Sequence, residues 1–267
     1  MLKTSLNAYS YNRALSGDFT LFDLLDTCAE LGFDAIDATG YYFPGYPGVP
    51  DNAVVNEFKR KAFRLGLDIS GTGVRNDFSS PDTAKRADDV RHIKEWVEVA
   101  ARLGAPVLRV FSGKEPGDHT WDQVAEWMTE DLRECAEHGR EHGVIIGVQN
   151  HWDFLKTAEQ VTRLIQMVSS EWVGVVVDTG SFRAADPYKE IETAAPHAVN
   201  WQVKEHVDGR EFKVRLDMKE LVRIARRTGY RGYLPIETLY RDAPDYDPGA
   251  RASELLHELR AAIRGAE

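Results

Sequence analysis

Short apolar runs alternate along the chain with longer stretches in which apolar residues recur every three or four positions. The short runs, bounded by Gly, Pro and Asp, read as strands. The 3–4 spacing reads as helices buried along one face. A first strand is expected at about Thr4–Tyr9. A helix follows over Leu21–Leu31, with Leu21, Leu24, Leu25, Cys28 and Leu31 on one side and Gly32 as its stop. Strand two, Phe33–Ala38, empties into an aromatic loop rich in Pro and Gly, Thr39 to Gly48. A helix from Asp51-Asn52 to Leu65 leads to strand three, Leu67–Ser70, which gives way to Gly71-Thr72-Gly73. Ser80-Pro81-Asp82 opens a long helix ending at Leu103. Strand four, Pro106–Phe111, precedes a helix from about Thr120 to His142.

The second half repeats the scheme. Strand five begins at Val144, and helix five is expected over Thr157–Val168 with Thr157 as N-cap. Strand six is Val173–Asp178. Asp186 caps a helix over Pro187–Ala195, with Pro at its first position. Strand seven spans Ala198–Val203, helix seven Asp217–Thr228, strand eight follows Gly232, and the last helix covers Pro248–Ile263. Strands alternating one for one with helices, without a linker, predict an α/β chain forming one single-domain (β/α)8 TIM barrel over residues 1–267. A doubly wound sheet fits less well. Strand one ends in Tyr9-Ser10-Tyr11-Asn12-Arg13, with no Gly-rich phosphate turn.

Bulk properties narrow the partners. A chain of 267 residues suits one barrel and buries enough surface to need no disulfide staples. Cys28 and Cys135 fall in helical patterns and read as buried free thiols. The net charge of −10 argues against nucleic acid or an anionic membrane as partner. No apolar run reaches the ~18 residues of a membrane span, and no signal-like segment precedes the first strand, so a cytoplasmic protein is expected.

The last four strands all end on a polar residue. VIIGVQNHWDF carries Gln149, VGVVVDTGSF ends on Asp178, VNWQVKEH carries Gln202 and YLPIETL carries Glu237. In a barrel these ends converge on one mouth, where active sites are built. Two carboxylates and two amide carbonyls are hard oxygen donors, so a divalent metal, Mg2+ or Mn2+, is expected on Gln149, Asp178, Gln202 and Glu237. Strand alternation puts His151 on the side of Gln149, as a candidate general base. It also puts Lys204 and His206 on the side of Gln202, with Glu205 opposite. Lys204 is a candidate for stabilising an oxyanion. Arg109, inside PVLRVF, should either reach the pocket or pair with a carboxylate. Tyr41, Tyr42, Phe43 and Trp152 lie at the same end and offer faces for a sugar. His92, His119, His138, His142, His197 and His257 read as surface residues.

With VQNHWDF, VVDTGSF, VNWQVKEH and PIET in view, the whole chain resembles the xylose-isomerase-like barrels. These include sugar isomerases and epimerases, dehydratases of inosose and 3-dehydroshikimate, lyases of 3-keto-glycosides, and endonuclease IV. The resemblance implies metal ligands at Gln149, Asp178, Gln202 and Glu237, where relatives carry Glu, Asp, His and Glu. Two of the four positions therefore depart, both to glutamine. Ser181 also departs, since many epimerases have a substrate-binding histidine there. Epimerases of this kind use two carboxylates as opposed acid and base, and Gln149 cannot carry a proton.

The expected function is therefore metal-dependent chemistry on a small carbohydrate with a carbonyl group. His151 or Glu237 removes the adjacent proton, and Lys204 or Arg109 steadies the enediolate. Tyr41, Tyr42, Trp152, Arg109 and His206 contact substrate. The expected outcome leans to β-elimination, with isomerisation or epimerisation as the alternative through the same intermediate. A sugar-binding or partner-subunit barrel without catalysis is the third reading. A homo-oligomer or a partner subunit completing the site is left open.

Overall fold

Helix starts are set by side chains that meet the first free backbone N–H groups. Thr20, Thr120 and Thr157 each form a reciprocal capping box, closed by Asp23, Gln123 and Gln160. Asp82, Asp186 and Asp217 cap three further helices. Gly32, Gly104 and Gly143 end helices in the left-handed conformation, as their position after the last apolar residue predicts.

The computed structural model describes residues 1–151, 154–208, 211, 213–239 and 245–265. The strands are β1 (Lys3–Asn7), β2 (Ala35–Thr39), β3 (Asp68–Gly73), β4 (Val107–Phe111), β5 (Ile145–Gln149), β6 (Val173–Asp178), β7 (Ala198–Lys204) and β8 (Tyr233–Glu237). The helices are α1 (Leu21–Leu31), α2 (Asn52–Arg64), α3 (Thr83–Leu103), α4 (Trp121–His142), α5 (Ala158–Val168), α6 (Pro187–Ala194), α7 (Met218–Arg227) and α8 (Pro248–Gly265). Each strand pairs in parallel with the next, and β8 pairs with β1, closing the barrel. The expected (β/α)8 fold is the one observed. Among the described residues, no helix is long and apolar enough to cross a membrane.

The main core lies between strands and helices, where Trp96, Phe58, Leu24, Leu25, Ile93 and Met128 are fully buried. Cys28 and Cys135 are buried there as free thiols, as expected. The barrel interior is more polar. Ser5 Oγ meets Ser70 Oγ at 2.7 Å, and Asn200 Nδ2 donates to Asp37 Oδ2 at 3.1 Å. Burial pushes the Asp37 carboxyl up to about 6, although Arg109 opposes the rise.

β3 runs further than its sequence pattern predicts. Gly71-Thr72-Gly73 reads as a loop but pairs with β2 and β4. The reason is steric. A Cβ on Gly71 would lie 2.9 Å from Asn200 Nδ2, and one on Gly73 would lie 2.8 Å from Arg109 Nε. Side chains from β2, β4 and β7 already fill the interior, so β3 contributes backbone there. His92 also departs from expectation. It is half-buried and packs edge-on to Tyr46 at 5.5 Å, beside Trp96, because α3 turns that face toward the aromatic loop.

Candidate active site

The closed barrel brings the ends of β5 to β8 side by side, and their last inward residues meet. Gln149, Asp178, Gln202, Lys204 and Glu237 are all buried. They line one cavity of about 870 Å³ at the C-terminal mouth, together with His151, Arg109 and Tyr41. That volume lies toward the upper end of ordinary small-ligand sites.

Each group is held by a neighbour. Gln149 Nε2 donates to Asp178 Oδ2 at 2.7 Å and to Gln202 Oε1 at 2.6 Å. Lys204 Nζ donates to Glu237 Oε1 and stands 3.5 Å from Asp178 Oδ2. Asn150 ties down the backbone of Asp178. Its Nδ2 donates to the Asp178 carbonyl at 3.0 Å, and its Oδ1 accepts from the Asp178 N–H at 2.7 Å. The Asp178 carboxylate also accepts from the Gly180 N–H at 3.0 Å. Thr179 Oγ1 accepts the Lys204 N–H at 2.9 Å. The sequence reading missed Asn150 and Thr179. Their signal was weak, since each is a small polar residue next to a more conspicuous one.

Burial dominates the electrostatics. It raises the Glu237 carboxyl above its usual range, and Asp178 adds to the rise, while Lys204 and Arg109 oppose it. Burial works against the Lys204 charge, but Asp178 and Glu237 outweigh it and hold the ammonium protonated.

The other half of the mouth is aromatic. Arg109 reaches the cavity, as one of its two expected placements requires. Its Nη1 donates to the Val74 carbonyl at 2.7 Å and its Nη2 to the Tyr41 hydroxyl at 3.1 Å. Its guanidinium lies 4.1 Å from the Phe111 ring centre. Tyr41 lines the cavity, and Arg75 covers its ring at 4.5 Å. His151 lines the cavity edge-on to Phe111, with ring centres 5.1 Å apart.

Three expected contacts change. Tyr42 is not among the cavity-lining residues. It packs behind Tyr41, 5.1 Å between ring centres, and against the core. Phe43 is buried against Phe58 and Trp96. His206 also leaves the wall, because strand alternation holds only while β7 lasts. β7 ends at Lys204, and His206 instead forms an antiparallel bridge with Arg215. Glu205 points away as expected and pairs with Arg251. Trp152 lies outside the described residues. Ser181 does line the cavity.

The four residues expected to hold a metal do converge, but their arrangement does not fit a divalent ion. The Gln149 atom facing the Asp178 carboxylate and Gln202 Oε1 is the amide nitrogen, which is no ligand, and its Oε1 is left buried without a hydrogen-bond partner among the described residues. The carboxylates of Asp178 and Glu237 are already met by the Lys204 ammonium. Among the described residues, one group of metal-type side chains has its ligand atoms within 4.8 Å of one another: Glu98, His138 and His142. It sits toward the C-terminal ends of α3 and α4, hence at the barrel end opposite the mouth.

A closed eight-stranded parallel barrel with its convergent polar residues at the strand C-termini defines a (β/α)8 protein of the enzyme-bearing type. The family model described as xylose isomerase-like TIM barrel matches residues 25–262, and the chain belongs to that family. Solved structures share the fold over nearly the whole chain. D-psicose 3-epimerase from Clostridium cellulolyticum H10 superposes with a TM-score of 0.78 at 18% identity, covering 98% of this chain and 97% of that one. L-ribulose 3-epimerase gives 0.78 at 19% identity, covering 100% and 97%. The 3-keto-D-glucoside 4-epimerase from E. coli gives 0.76 at 14% identity, covering 97% and 98%. Among curated proteins, no sequence match was found.

Proposed function

We propose that the protein is a carbohydrate isomerase or epimerase that moves a proton next to a sugar carbonyl. The observation that carries this reading is the buried Asp178–Lys204–Glu237 group inside a cavity large enough for a sugar. Glu237 is the base. It takes the proton from the carbon beside the carbonyl, and the C–H electron pair becomes the C=C bond of an enediolate while the carbonyl π pair moves onto oxygen. A Lys204 N–H donates to that oxygen. Glu237 then returns the proton to carbon. Return to the former carbonyl carbon, with a proton passing between the two oxygens, exchanges aldose and ketose. Arg109 and Tyr41 orient the sugar from the aromatic side.

The structural neighbours named above, epimerases by description, support isomerisation over the β-elimination expected from the sequence. The site adds a physical reason for a same-face transfer. Opposed two-carboxylate chemistry needs an acid at β5, and β5 offers Gln149. A second proton donor on the opposite face is left to His151, the titratable group beside Gln149. Elimination shares the first step and differs only in the fate of the intermediate.

The test is incubation with simple ketoses and with 3-keto-glycosides in D2O, followed by mass spectrometry and NMR. Deuterium at one carbon of an isomerised sugar, without release of an aglycone, is the expected result. Aglycone release would convert the assignment to a lyase. No exchange with any carbonyl sugar would leave a binding barrel.

A further inference from the structure

We infer that the Lys204 ammonium takes the place of a metal ion, and that the mouth of this barrel works without a divalent cation. The inference concerns the site of the proposed isomerase, but it stands whether the outcome is isomerisation or elimination.

The argument starts from charge. Asp178 and Glu237 are buried at the ends of β6 and β8 and face one cavity. Two buried carboxylates so placed require a compensating cation. Lys204, at the end of the intervening strand β7, supplies one positive charge that the two carboxylates share. Its Nζ contacts Glu237 Oε1 and lies 3.5 Å from Asp178 Oδ2. A divalent ion bound to the same two carboxylates would have to displace that ammonium.

The amides tell the same story. Gln149 spends its nitrogen on Asp178 and Gln202, so the Gln202 oxygen is already occupied by a donor. Turning the Gln149 amide over would set its oxygen against the oxygens of Asp178 and Gln202. The four side chains and Lys204 thus form a connected set in which the Gln149 amide nitrogen and the Lys204 ammonium meet the oxygens of Asp178, Gln202 and Glu237, while Gln149 Oε1 is buried without a hydrogen-bond partner among the described residues. The backbone reinforces it. A Cβ on Gly180 would lie 2.8 Å from the His206 carbonyl oxygen and 2.9 Å from Lys204 Cγ, so a glycine leaves room for both the chain after β7 and the lysine stem. An ammonium has three donors; one is bonded to Glu237, and Asp178 lies 3.5 Å away as an ion-pair partner. A remaining donor can meet a substrate oxygen in the cavity that Lys204 lines, where a metal would otherwise polarise the carbonyl.

Metal content and thermal unfolding test this without an activity assay. Protein purified without chelator is expected to carry far less than one Mn, Mg, Zn or Co per chain by mass spectrometry. Its Tm is expected to be unchanged by EDTA or by millimolar Mn2+. Lys204→Met removes the charge but keeps the stem, and leaves the carboxylates uncompensated. Its Tm is expected to fall and to be raised several degrees by Mn2+. Lys204→Gln, which keeps donors for the carboxylates, provides the same reading if the methionine variant does not fold. Stoichiometric metal in the wild-type protein, or a Tm lowered by EDTA, overturns the inference. So does a metal-free wild type whose Lys204 variants gain no response to Mn2+, since the carboxylates would then not form a cation site. Neither outcome bears on deuterium exchange, so failure here and failure of the isomerase assignment remain distinct.

Discussion

The two halves of the barrel mouth solve the burial of charge differently. On the β5–β8 side, Asp178 and Glu237 share the single positive charge of Lys204, and the Gln149 amide nitrogen links Asp178 to Gln202. On the β1–β4 side, the Arg109 cation is held by a backbone carbonyl, a tyrosine hydroxyl and two ring faces. A carboxylate partner would fix Arg109 and cancel its charge. π faces and a carbonyl orient it, while its charge acts at longer range on Asp37 and Glu237 and reaches the cavity. The first half is therefore suited to proton transfer, and the second to gripping an electron-rich substrate.

Substitutions in each half should then fail in different ways. The largest effect is expected for Glu237→Gln, which keeps the shape and removes the proposed base. Turnover should fall by ~10²–10⁴-fold while KM changes little. Steady-state kinetics with the sugar identified in D2O checks it, and near-normal turnover would remove β8 from the chemistry.

Arg109→Met should act mainly on binding. Loss of a charged hydrogen-bonding group is worth roughly 1.5–3 kcal/mol, so KM should rise about tenfold or more with a smaller change in kcat. A loss confined to kcat would erase the distinction between the halves. Asn150→Ala should loosen Asp178 by removing both of its backbone partners. A stability loss of roughly 1–3 kcal/mol is expected in urea unfolding, with Gln149 and Lys204 left in place. An unchanged midpoint would show that the Asn150 bonds do not hold the β5–β8 cluster.

The smallest effect sits beneath both halves, at Asp37. Its folded value, about 6, lies above the ordinary 3.8, so ionisation is penalised in the fold. The native state binds this proton more tightly than the unfolded chain. Its contribution to stability is therefore full below pH 4 and is lost as pH rises toward about 6. Asp37→Asn removes that loss while keeping an oxygen for Asn200 Nδ2. Its Tm should exceed the wild type at pH 7 and match it near pH 4. An equal shift at both pH values would mean that Asp37 is ionised at little cost.

Much of the architecture is local and was legible in the chain. The apolar spacing of Leu21–Leu31, together with capping residues such as Thr157 and Asp186 and the terminating glycines, places the eight helices of the described residues to within a few residues. The apolar run Val173–Asp178 has the bounds of β6 itself. These features depend on neighbours one turn away, so the sequence carries them directly. The four strand-end residues were also legible, because a polar residue closing an apolar run is a local signal. That they meet required barrel closure.

Closure decided the rest. It made Gly71 and Gly73 strand residues, because side chains from distant strands occupy the interior beside them. It moved Tyr42 behind Tyr41, and the end of β7 released His206 from the alternation that placed it at the site. It also changed the meaning of Gln149 and Lys204. By residue type alone, two amides and two carboxylates read as metal ligands. Only the three-dimensional pairing reveals that the amide nitrogen faces Asp178 and that an ammonium stands between the carboxylates. Sequence sets which groups arrive at the mouth. Which donor meets which acceptor depends on distances between strands far apart in the chain, and only the tertiary structure fixes those.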